Sequence, residues 1–578
     1  MTIHEQRRLA TTRNRLGLYA LVVLACISAS SLWWGFDVHT SRIASSIWGA
    51  IPAQRQPLTT VAVKSIDRPL EVDEIQALVS STKGFLSRDW SLGLGWNNMR
   101  YIIESGLLEA KLLNRTLVLP SFVYARHCEH SVDVCATHAP MVNKNDVLHS
   151  TEWRALPLAD QMAWQIPIDL MLNITHIRQK HHVITAVDYL RLHGLNGSTE
   201  ALDGRWSLDA YHTQPHVFTN QYPSLRKIQH VEYEPKHVVR VDYVPPALLQ
   251  KARVPPQDKA LADALTAALP DDRAYLTWME AQSVTGLWSD AGIEEALDQN
   301  GWAVLWTYAG VNGMELNKAV VLPMRQAAPI LKLRGLKNEF VSWNQTVVHL
   351  EGEVHLGKKP GSLRFTTREA LDEYTRTVLY DMTQTNVLYG LADCLIQRMY
   401  NLTEGRLWTG AHVRRGDFLL YNWAMEIAAS DHIQRVKDRL VAGRATLKRL
   451  SARRIKTYDV PGAYKADERL HTYNLPQETD KYFIATDERD PTTLDVFRAA
   501  GAVTMTDLLT LEDRRRTQTL DGDDLGWVLL FTDVRAVVEQ IVLAEAGYFY
   551  GHAMSSVAGG IINMRAKHGR DPRTALVD

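Results

Sequence analysis

In residues 401–578, short apolar runs alternate with segments of helical periodicity. The runs lie at 407–411, 482–485 and 548–550, and apolar side chains recur at helical spacing between them. Strands that alternate with helices form parallel sheets covered on both faces, so this order predicts a doubly wound α/β domain. A strand–helix–strand order that includes a helix over 97–113 predicts a second domain of the same class.

The N-terminal region predicts a membrane anchor. Residues 16–36 carry no charged side chain and, as a helix, would span roughly 32 Å, the thickness of a bilayer core. Arginines crowd residues 1–15, which the positive-inside rule places in the cytosol. A cleaved signal peptide is the alternative, but its apolar core is usually only about 7–15 residues long.

The body of the chain is predicted to contain two domains, because 578 residues exceed the usual size of one. After the cytosolic tail and the transmembrane anchor, residues 37–80 read as a stem. Residues 81–400 are predicted to form an N-terminal Rossmann-like domain on the acceptor side. Residues 401–578 are predicted to form a C-terminal Rossmann-like domain on the nucleotide-sugar side.

Charge and cysteine usage limit the classes of function. The net charge of -1 gives no basic field for nucleic acid, and no nucleic-acid partner is expected. The four cysteines lack zinc-site spacing. Cys128 and Cys135 are expected to form a local disulfide in an oxidising lumen, whereas Cys394 is expected to be a buried thiol.

The motif His-Val-Arg-Arg-Gly-Asp-Phe at 412–418 follows the first apolar run of the C-terminal domain. On a strand, His412 and Arg414 point to the same side and reach its carboxyl end, where open α/β sheets bind ligands. An arginine fork suits the paired oxygens of a diphosphate. The alternative is a structural arginine pair that satisfies Asp417 and nearby carbonyl groups.

Three further loops leave predicted strands. The loop with Gly95 and Asn97 precedes a helix, and Asn97 is the expected helix cap. Asp487 follows a buried strand, where a carboxylate can accept hydrogen bonds from a base or ribose. Ser555 and Ser556 open a helix and form a candidate phosphate site. For each loop, helix capping or a surface ion pair is the alternative.

The order of these motifs resembles that of the protein O-fucosyltransferase-like glycosyltransferases, a broad group related to the core fucosyltransferases of N-glycans. The resemblance implies a two-domain GT-B fold, GDP-fucose as donor, and transfer with inversion. It also implies a single-pass type II protein with its catalytic body in the lumen of the Golgi or endoplasmic reticulum. The matching segments are 95–100, 112–120, 349–353, 412–418, 483–488 and 555–557.

The resemblance also implies roles for individual residues. Arg414 would contact the diphosphate and the glycosidic oxygen, and His412 would support the nucleotide. Asp487 would recognise the guanine or ribose. Ser555 and Ser556 would bind near the β-phosphate. In the first motif, which contains Gly95, Asn97 would position the donor.

Neither a cofactor nor a metal is expected, because fixed cations and N–H dipoles can neutralise a departing diphosphate. Asp521 and Asp523 form a D-x-D alternative for a metal site. Some relatives carry a glutamate as base where this chain has Leu94. Glu351 is therefore a candidate acid or base, unless the leaving phosphate itself takes the proton.

The resulting prediction is an inverting transferase that moves fucose from GDP-fucose to a protein or glycan hydroxyl in the secretory pathway. One alternative is a catalytically silent membrane protein that binds a GDP-sugar. Another is a transferase that uses a different nucleotide sugar, because diphosphate contacts do not distinguish fucose.

Overall fold

The computed structural model describes residues 68–148, 152–216, 218–233, 235, 237–308, 319–352, 363–420, 422–462, 465–516 and 526–578. The predicted tail, the anchor at 16–36 and most of the stem lie outside these residues, as do Asp521 and Asp523. Within the described ranges, no helix combines the length and the apolar character needed to span a membrane.

The described elements alternate in type along most of the chain. In chain order the strands are β1 Phe85–Arg88, β2 Thr116–Leu119, β3 Phe122–Ala125, β4 Met141–Asn143, β5 Met162–Pro167, β6 Val183–Thr185, β7 Leu225–Ile228, β8 Val239–Val241, β9 Leu276–Thr277, β10 Trp302–Tyr308, β11 Pro323–Pro329, β12 Leu333–Gly335, β13 Val347–Leu350, β14 Thr409–Val413, β15 Tyr482–Thr486, β16 Ala502–Val503, β17 Tyr548–Gly551 and β18 Ala575–Val577. The helices are α1 Val72–Val79, α2 Trp96–Leu113, α3 Val132–Ala136, α4 Lys144–Val147, α5 Leu158–Gln161, α6 Ile174–Arg178, α7 Ala186–Leu192, α8 Leu208–Tyr211, α9 His230–Tyr233, α10 Pro246–Lys251, α11 Lys259–Ala267, α12 Trp278–Thr285, α13 Asp290–Gln299, α14 Leu336–Phe340, α15 Arg368–Arg376, α16 Asn386–Leu402, α17 Gly416–Leu420, α18 Ala429–Leu450, α19 Arg469–Thr472, α20 Pro491–Ala499, α21 Met505–Leu508, α22 Leu511–Arg516, α23 Thr532–Glu545 and α24 Ser556–Lys567.

The N-terminal part of the described chain builds a parallel sheet in the order β6-β2-β1-β13-β7. The chain first moves outward from β1 to β6 and then continues on the other side of β1. The order therefore reverses between β1 and β13. In open α/β sheets, ligands bind beyond the carboxyl ends of the strands at such a reversal.

The C-terminal part builds a second parallel sheet in the order β16-β15-β14-β17-β18. Counted along the chain, this is the order 3-2-1-4-5 of a Rossmann-type sheet. Its reversal lies between β14 and β17. The motif at 412–418 leaves the sheet from β14, and the loop before Ser555 leaves it from β17.

Both faces of the C-terminal sheet are covered. Ala411, Ile484 and Tyr550 belong to the core cluster that includes the apolar side of α18. Phe483 and Phe549, whose side chains alternate with these, belong to the cluster that includes α23. Helix packing on both faces explains the nearly uninterrupted apolar runs, as expected of a doubly wound sheet.

The N-terminal sheet has the same layering. Leu86 and Val348 pack in the cluster that contains the apolar side of α2. Phe85, Val118 and Val347 pack with α1 and α7 on the other face. The predicted α/β class with doubly wound parallel sheets is therefore confirmed for the described residues.

Between β7 and β13, the chain forms a smaller substructure that the sequence did not predict. Strands β10, β11 and β9 make an antiparallel sheet, and β8 pairs with β12. Helices α10–α13 complete two small apolar clusters around them. The strand predicted at 303–306 is real, but it belongs to this substructure and not to the parallel sheet.

Four sequence predictions fail for local reasons. Residues 319–322 form a turn, and their apolar character reflects the burial of Val320 and Val321. The predicted helix over 368–400 is interrupted at 382–385, between a π-helical turn and α16. Gly95, not Asn97, caps α2. Cys394 is exposed, because it lies on the outer side of α16.

The segment after β3 joins the N-terminal part of the chain to the start of α23. Cys128 forms a β-bridge with Phe531, and the Glu129 N–H donates to the carbonyl of Leu530. Arg126 donates its backbone N–H to Asp533 at 2.8 Å. The predicted disulfide between Cys128 and Cys135 is present and closes this loop.

Candidate functional site

His412 and Ser555 meet at the reversal point of the C-terminal sheet. His412 lies on β14 opposite Gly551 of β17, and Ser555 precedes the first residue of α24. The His412 Nε2 and the Ser555 Oγ are 2.9 Å apart. This contact joins the predicted nucleotide residue to the start of a helix whose free N–H groups favour anions.

His412 is buried, with 6% of its surface exposed. Burial, followed by the charge of Arg414, lowers the pKa of His412 to about 3. The imidazole is therefore neutral near pH 7. It can orient the Ser555 hydroxyl, but it supplies no positive charge to an anion.

Arg414 and Arg415 have different environments, although they are adjacent in the sequence. Arg415 is 4% exposed, donates to Glu488 at 3.0 Å, and also donates to the carbonyl of Ile427. The Arg414 side chain is 24% exposed and pairs with Asp417 at 2.7 Å and with Asp487 at 2.9 Å. The structural interpretation therefore fits both residues in this state, because Arg414 pairs with Asp417 and Arg415 donates to a carbonyl group, but the partly exposed Arg414 remains accessible to a ligand.

Asp487 is held at the same edge by two neighbours. Its Oδ1 accepts the backbone N–H of Arg415 at 2.8 Å, and its Oδ2 faces Arg414. A Cβ at Gly416 would collide with this carboxylate, which explains the glycine in the motif. The predicted role of Asp487 in binding guanine or ribose stays a prediction, because its carboxylate is engaged with arginine here.

The first motif lies where α2 packs against α24. Gly95 is the residue before α2, and Asn97 lies in its first turn with 8% of its surface exposed. The Asn97 Oδ1 has no hydrogen-bond partner among the described residues. A Cβ at Gly560 of α24 would lie 3.5 Å from it. The carbonyl of Ser556 accepts a hydrogen bond from Tyr101 of α2 at 3.3 Å.

Glu351 follows β13 at the reversal point of the N-terminal sheet. Its carboxylate pairs with Lys227 at 2.7 Å, and 30% of its side chain is exposed. The Glu351 carboxylate is therefore accessible at the carboxyl edge of the sheet, but its charge is already balanced by Lys227. Its predicted acid–base role stays a prediction.

Sequence reasoning missed Asp89, the carboxylate that follows β1. Asp89 accepts hydrogen bonds from His349 at 3.0 Å and from the Gly352 N–H at 2.8 Å, and His349 also contacts Ser87 at 2.7 Å. Burial alone would raise the pKa of Asp89, but the hydrogen bonds from His349 and Gly352 outweigh it and lower the pKa. A charged residue directly after a buried strand was the available signal.

Metal ligands do not converge in the described residues. No group of three or more histidine, cysteine or carboxylate side chains there could hold an ion. The D-x-D pair lies outside the described ranges. Independence from metal remains a prediction.

The fold and the site define an α/β protein with two parallel sheets, each of which presents polar side chains at its reversal point. No protein-family model matches the sequence, and no curated protein matches it. Solved structures of POFUT1 are similar over 86% of this chain and 98% of theirs. The complex with GDP-fucose shows 10% identity and a TM-score of 0.30, and one complex with GDP shows 12% and 0.34. A similarity of this size does not establish the family or the function of the chain.

Proposed function

We propose that the chain is an inverting glycosyltransferase that moves fucose from GDP-fucose to a hydroxyl of a protein or glycan. The observation that carries this proposal is the placement of His412, Arg414 and the start of α24 at the reversal point of a Rossmann-type sheet. This is where such sheets bind nucleotides. The choice of fucose and of a GT-B enzyme rests on the resemblance of the ordered sequence motifs.

In this proposal, Arg414 stabilises the leaving GDP. Its planar fork would leave Asp417 and Asp487 and donate to two oxygens of the diphosphate. The N–H groups at the start of α24, with Ser555 and Ser556, would hold the other phosphate oxygens. Such fixed donors stabilise the charge that develops as the bond from the sugar to the phosphate breaks.

Inversion requires the acceptor oxygen to attack the anomeric carbon on the face opposite the departing GDP. The new carbon–oxygen bond forms as the old one breaks, GDP keeps the electron pair, and the hydroxyl proton passes to a base. We assign that proton to Asp89, because this carboxylate directly follows β1 at the carboxyl edge of the N-terminal sheet and His349 fixes its orientation. Glu351 is the alternative base, although Lys227 neutralises it.

We also propose that the body faces the lumen of the Golgi or endoplasmic reticulum as a type II membrane protein. The support is the charge pattern around residues 16–36 and the disulfide between Cys128 and Cys135, a bond typical of oxidising compartments. A protease-protection assay on sealed vesicles tests this orientation. Complete digestion of the body without detergent would show that it faces the cytosol.

The donor proposal is tested with the purified full-length chain and a panel of nucleotide sugars. We expect GDP-fucose alone to be hydrolysed or transferred, and Arg414→Ala to lose about 2–4 kcal/mol of transition-state stabilisation. Arg414→Lys should recover only part of this, because lysine lacks the fork. Arg449→Ala, on the exposed side of α18, is the control. Normal turnover by Arg414→Ala would refute the assignment.

The assignment of the base is tested by comparing Asp89→Asn with Glu351→Gln. We expect Asp89→Asn to lower kcat by about 100-fold, the usual range for a lost general base, with little change in the affinity for GDP. Glu351→Gln should change kcat by less than about threefold if it is not the base. The reverse ranking would transfer the role to Glu351.

A silent GDP-sugar-binding protein is the second candidate. It is favoured by Leu94, which cannot accept a proton, and by the two carboxylates that already occupy Arg414. Thermal-shift titration would show GDP binding in either case, because ligands that bind the folded state stabilise it. Binding of GDP-fucose with neither hydrolysis nor transfer would establish this second function.

A further inference from the structure

A cluster of basic residues lies beside the start of α2, and no role has been assigned to it. Arg126 and Lys144 contact the same indole ring of Trp153, at 5.1 Å from the guanidinium carbon and 4.3 Å from the Nζ. A Cβ at Gly95 would lie 3.5 Å from Nη1 of Arg126. The cluster therefore borders the first motif.

Lys144 is 1% exposed, and its Nζ has no hydrogen-bond partner among the described residues. The Nε of Arg126 is also buried and without such a partner. A buried ammonium costs several kcal/mol unless it is paired, and the ring of Trp153 compensates only part of that cost. The buried Lys144 ammonium, unpartnered among the described residues and beside the half-buried Arg126 guanidinium, therefore points to a missing anion.

His127 shows that further cations are close. Burial, followed by the charges of Arg489, Arg126, Lys144 and Arg414, lowers the pKa of His127 far below its ordinary value. Four basic side chains thus lie close enough to His127 for their charges to oppose its protonation. The cluster extends from Lys144 to Arg414, the residue proposed to bind the diphosphate.

The nearby carboxylates pair with Arg489 but leave Lys144 without a hydrogen-bond partner among the described residues. Asp533 accepts the backbone N–H of Arg126, and Asp160 lies 3.6 Å from Arg489. Both act on Lys144 only through longer-range attraction. Neither has a hydrogen bond to its Nζ.

We propose that Arg126, Lys144 and Arg489 bind a sulfate or carboxylate group carried by the acceptor. Arg489 follows β15, whereas α24 follows β17 on the other side of β14. The cluster and the phosphate-binding start of α24 therefore flank Arg414 from opposite sides. An acceptor anchored by its anion would hold a neighbouring hydroxyl near the donor sugar. The identity of the ligand as an acceptor rests on the proposed function, but the anion site itself does not.

The test uses the full-length chain saturated with GDP and titrated with inorganic sulfate, followed by thermal shift. We expect sulfate to stabilise the GDP complex further, and Lys144→Met and Arg489→Gln to weaken sulfate binding by about tenfold, as for a lost charge-assisted contact. The affinity for GDP should stay within about twofold in both variants. Lys251→Met, in a half-exposed surface ion pair with Asp298, is the control.

Three outcomes would overturn the proposal. Sulfate that is displaced by GDP would assign the cluster to the donor diphosphate. Equal sulfate affinity in Lys144→Met and the unmodified chain would indicate an adventitious ion only, and absence of sulfate binding would remove the site. Arg489→Gln, at a half-exposed position, covers the case in which Lys144→Met fails to fold. Sulfate binding without any fucose transfer would refute the proposed function and keep the anion site.

Discussion

At the scale of the residue, the close packing of Gly416 against Asp487 controls where Arg414 points. Asp487 is fixed by the Arg415 N–H and in turn holds the Arg414 guanidinium. The missing side chain at Gly416 provides the space for this carboxylate. Gly416 therefore helps to orient Arg414, two residues earlier in the chain, by leaving space for Asp487.

Gly416→Ala is expected to displace Asp487 and to lower kcat roughly tenfold, or about 1.4 kcal/mol, through misplacement of Arg414. Gly390→Ala is the matched control, since a Cβ there meets no described atom within 4 Å. Steady-state kinetics and thermal unfolding of both variants provide the measurement. Equal kcat in the two variants would contradict the orienting role.

Lys144 gives the anion site a pH dependence. Burial, followed by the charge of Arg126, lowers the pKa of Lys144 to about 8, with Asp160, Asp533 and Arg489 also acting on it. The positive charge is present below this pKa and lost above it. Sulfate affinity should therefore fall between pH 7 and pH 9, and Lys144→Arg should flatten the decline, because arginine stays charged. If sulfate affinity fell equally with pH in the parent and in Lys144→Arg, Lys144 would not be a ligand of the anion.

At the scale of the element, α2 carries a buried ion pair into its contact with α24. Arg100 and Glu104 lie one turn apart at 2.9 Å, with 6% and 0% of their side chains exposed. Burial raises the pKa of Glu104 to about 7, although Arg100 opposes this shift. Desolvation of both side chains costs free energy, and their mutual attraction offsets part of that cost.

Arg100→Met should destabilise the chain by about 3–5 kcal/mol, because it leaves Glu104 buried without its partner. A raised carboxyl pKa means that stability is lost as pH rises through it, so this loss should increase from pH 5 to pH 8. The double variant Arg100→Met/Glu104→Met should recover much of the stability. Urea unfolding at both pH values provides the measurement, and a double variant weaker than Arg100→Met would contradict this account.

The elements that the sequence predicted well are those in which one pattern determines the structure. β14, β15 and β17 are apolar because helices cover both faces, and glycine or polar residues end them. The substructure of β9–β11 was missed because β9 is only two residues long and pairs with β11 across two intervening helices, α12 and α13. The turn at 319–322 was mistaken for a strand, because burial of Val320 and Val321 imitates a strand pattern.

At the scale of the whole molecule, buried titratable groups act in opposite directions. Burial lowers the pKa of eight histidines, which favours the folded state at higher pH, and raises the pKa of five carboxyl groups, which favours it at lower pH. The histidines are His127, His138, His193, His212, His216, His412, His432 and His552. The carboxyl groups are those of Glu104, Glu200, Asp242, Asp393 and Glu539.

The urea midpoint of the chain should therefore fall between pH 7.5 and pH 5.5, because the shifted histidines outnumber the shifted carboxyl groups. Burial, followed by the charge of Arg415, lowers the pKa of His432 to about 4. The unfolded chain takes up a proton there below pH 6.5, so His432→Gln should gain roughly 1 kcal/mol relative to the parent at pH 5.5. Curves of urea midpoint against pH that run parallel for the parent and His432→Gln would contradict this role of His432.

Only part of the candidate site was predictable from the sequence, because some of its residues are brought together by tertiary contacts. His412, Arg414 and Ser555 follow recognisable strands, and their order along the chain placed them at one sheet edge. Arg126 and Asp89 lie in loops directly after strands, and Lys144 begins the short helix α4, so no readable period marks them. Arg126 meets Asp533 of α23, and Asp89 meets His349 of β13, only through tertiary contacts. Such tertiary contacts leave no local pattern in a single sequence.

The loop closed by Cys128 and Cys135 has a practical consequence for handling the protein. Thiol reductants in a storage buffer, or expression in a reducing host, would open the loop at 128–135, which directly follows Arg126 and His127 and begins at the bridge from Cys128 to Phe531. Preparations made in this way should keep their affinity for GDP while losing affinity for sulfate. Batches that differ only in redox history could then be mistaken for different enzymes.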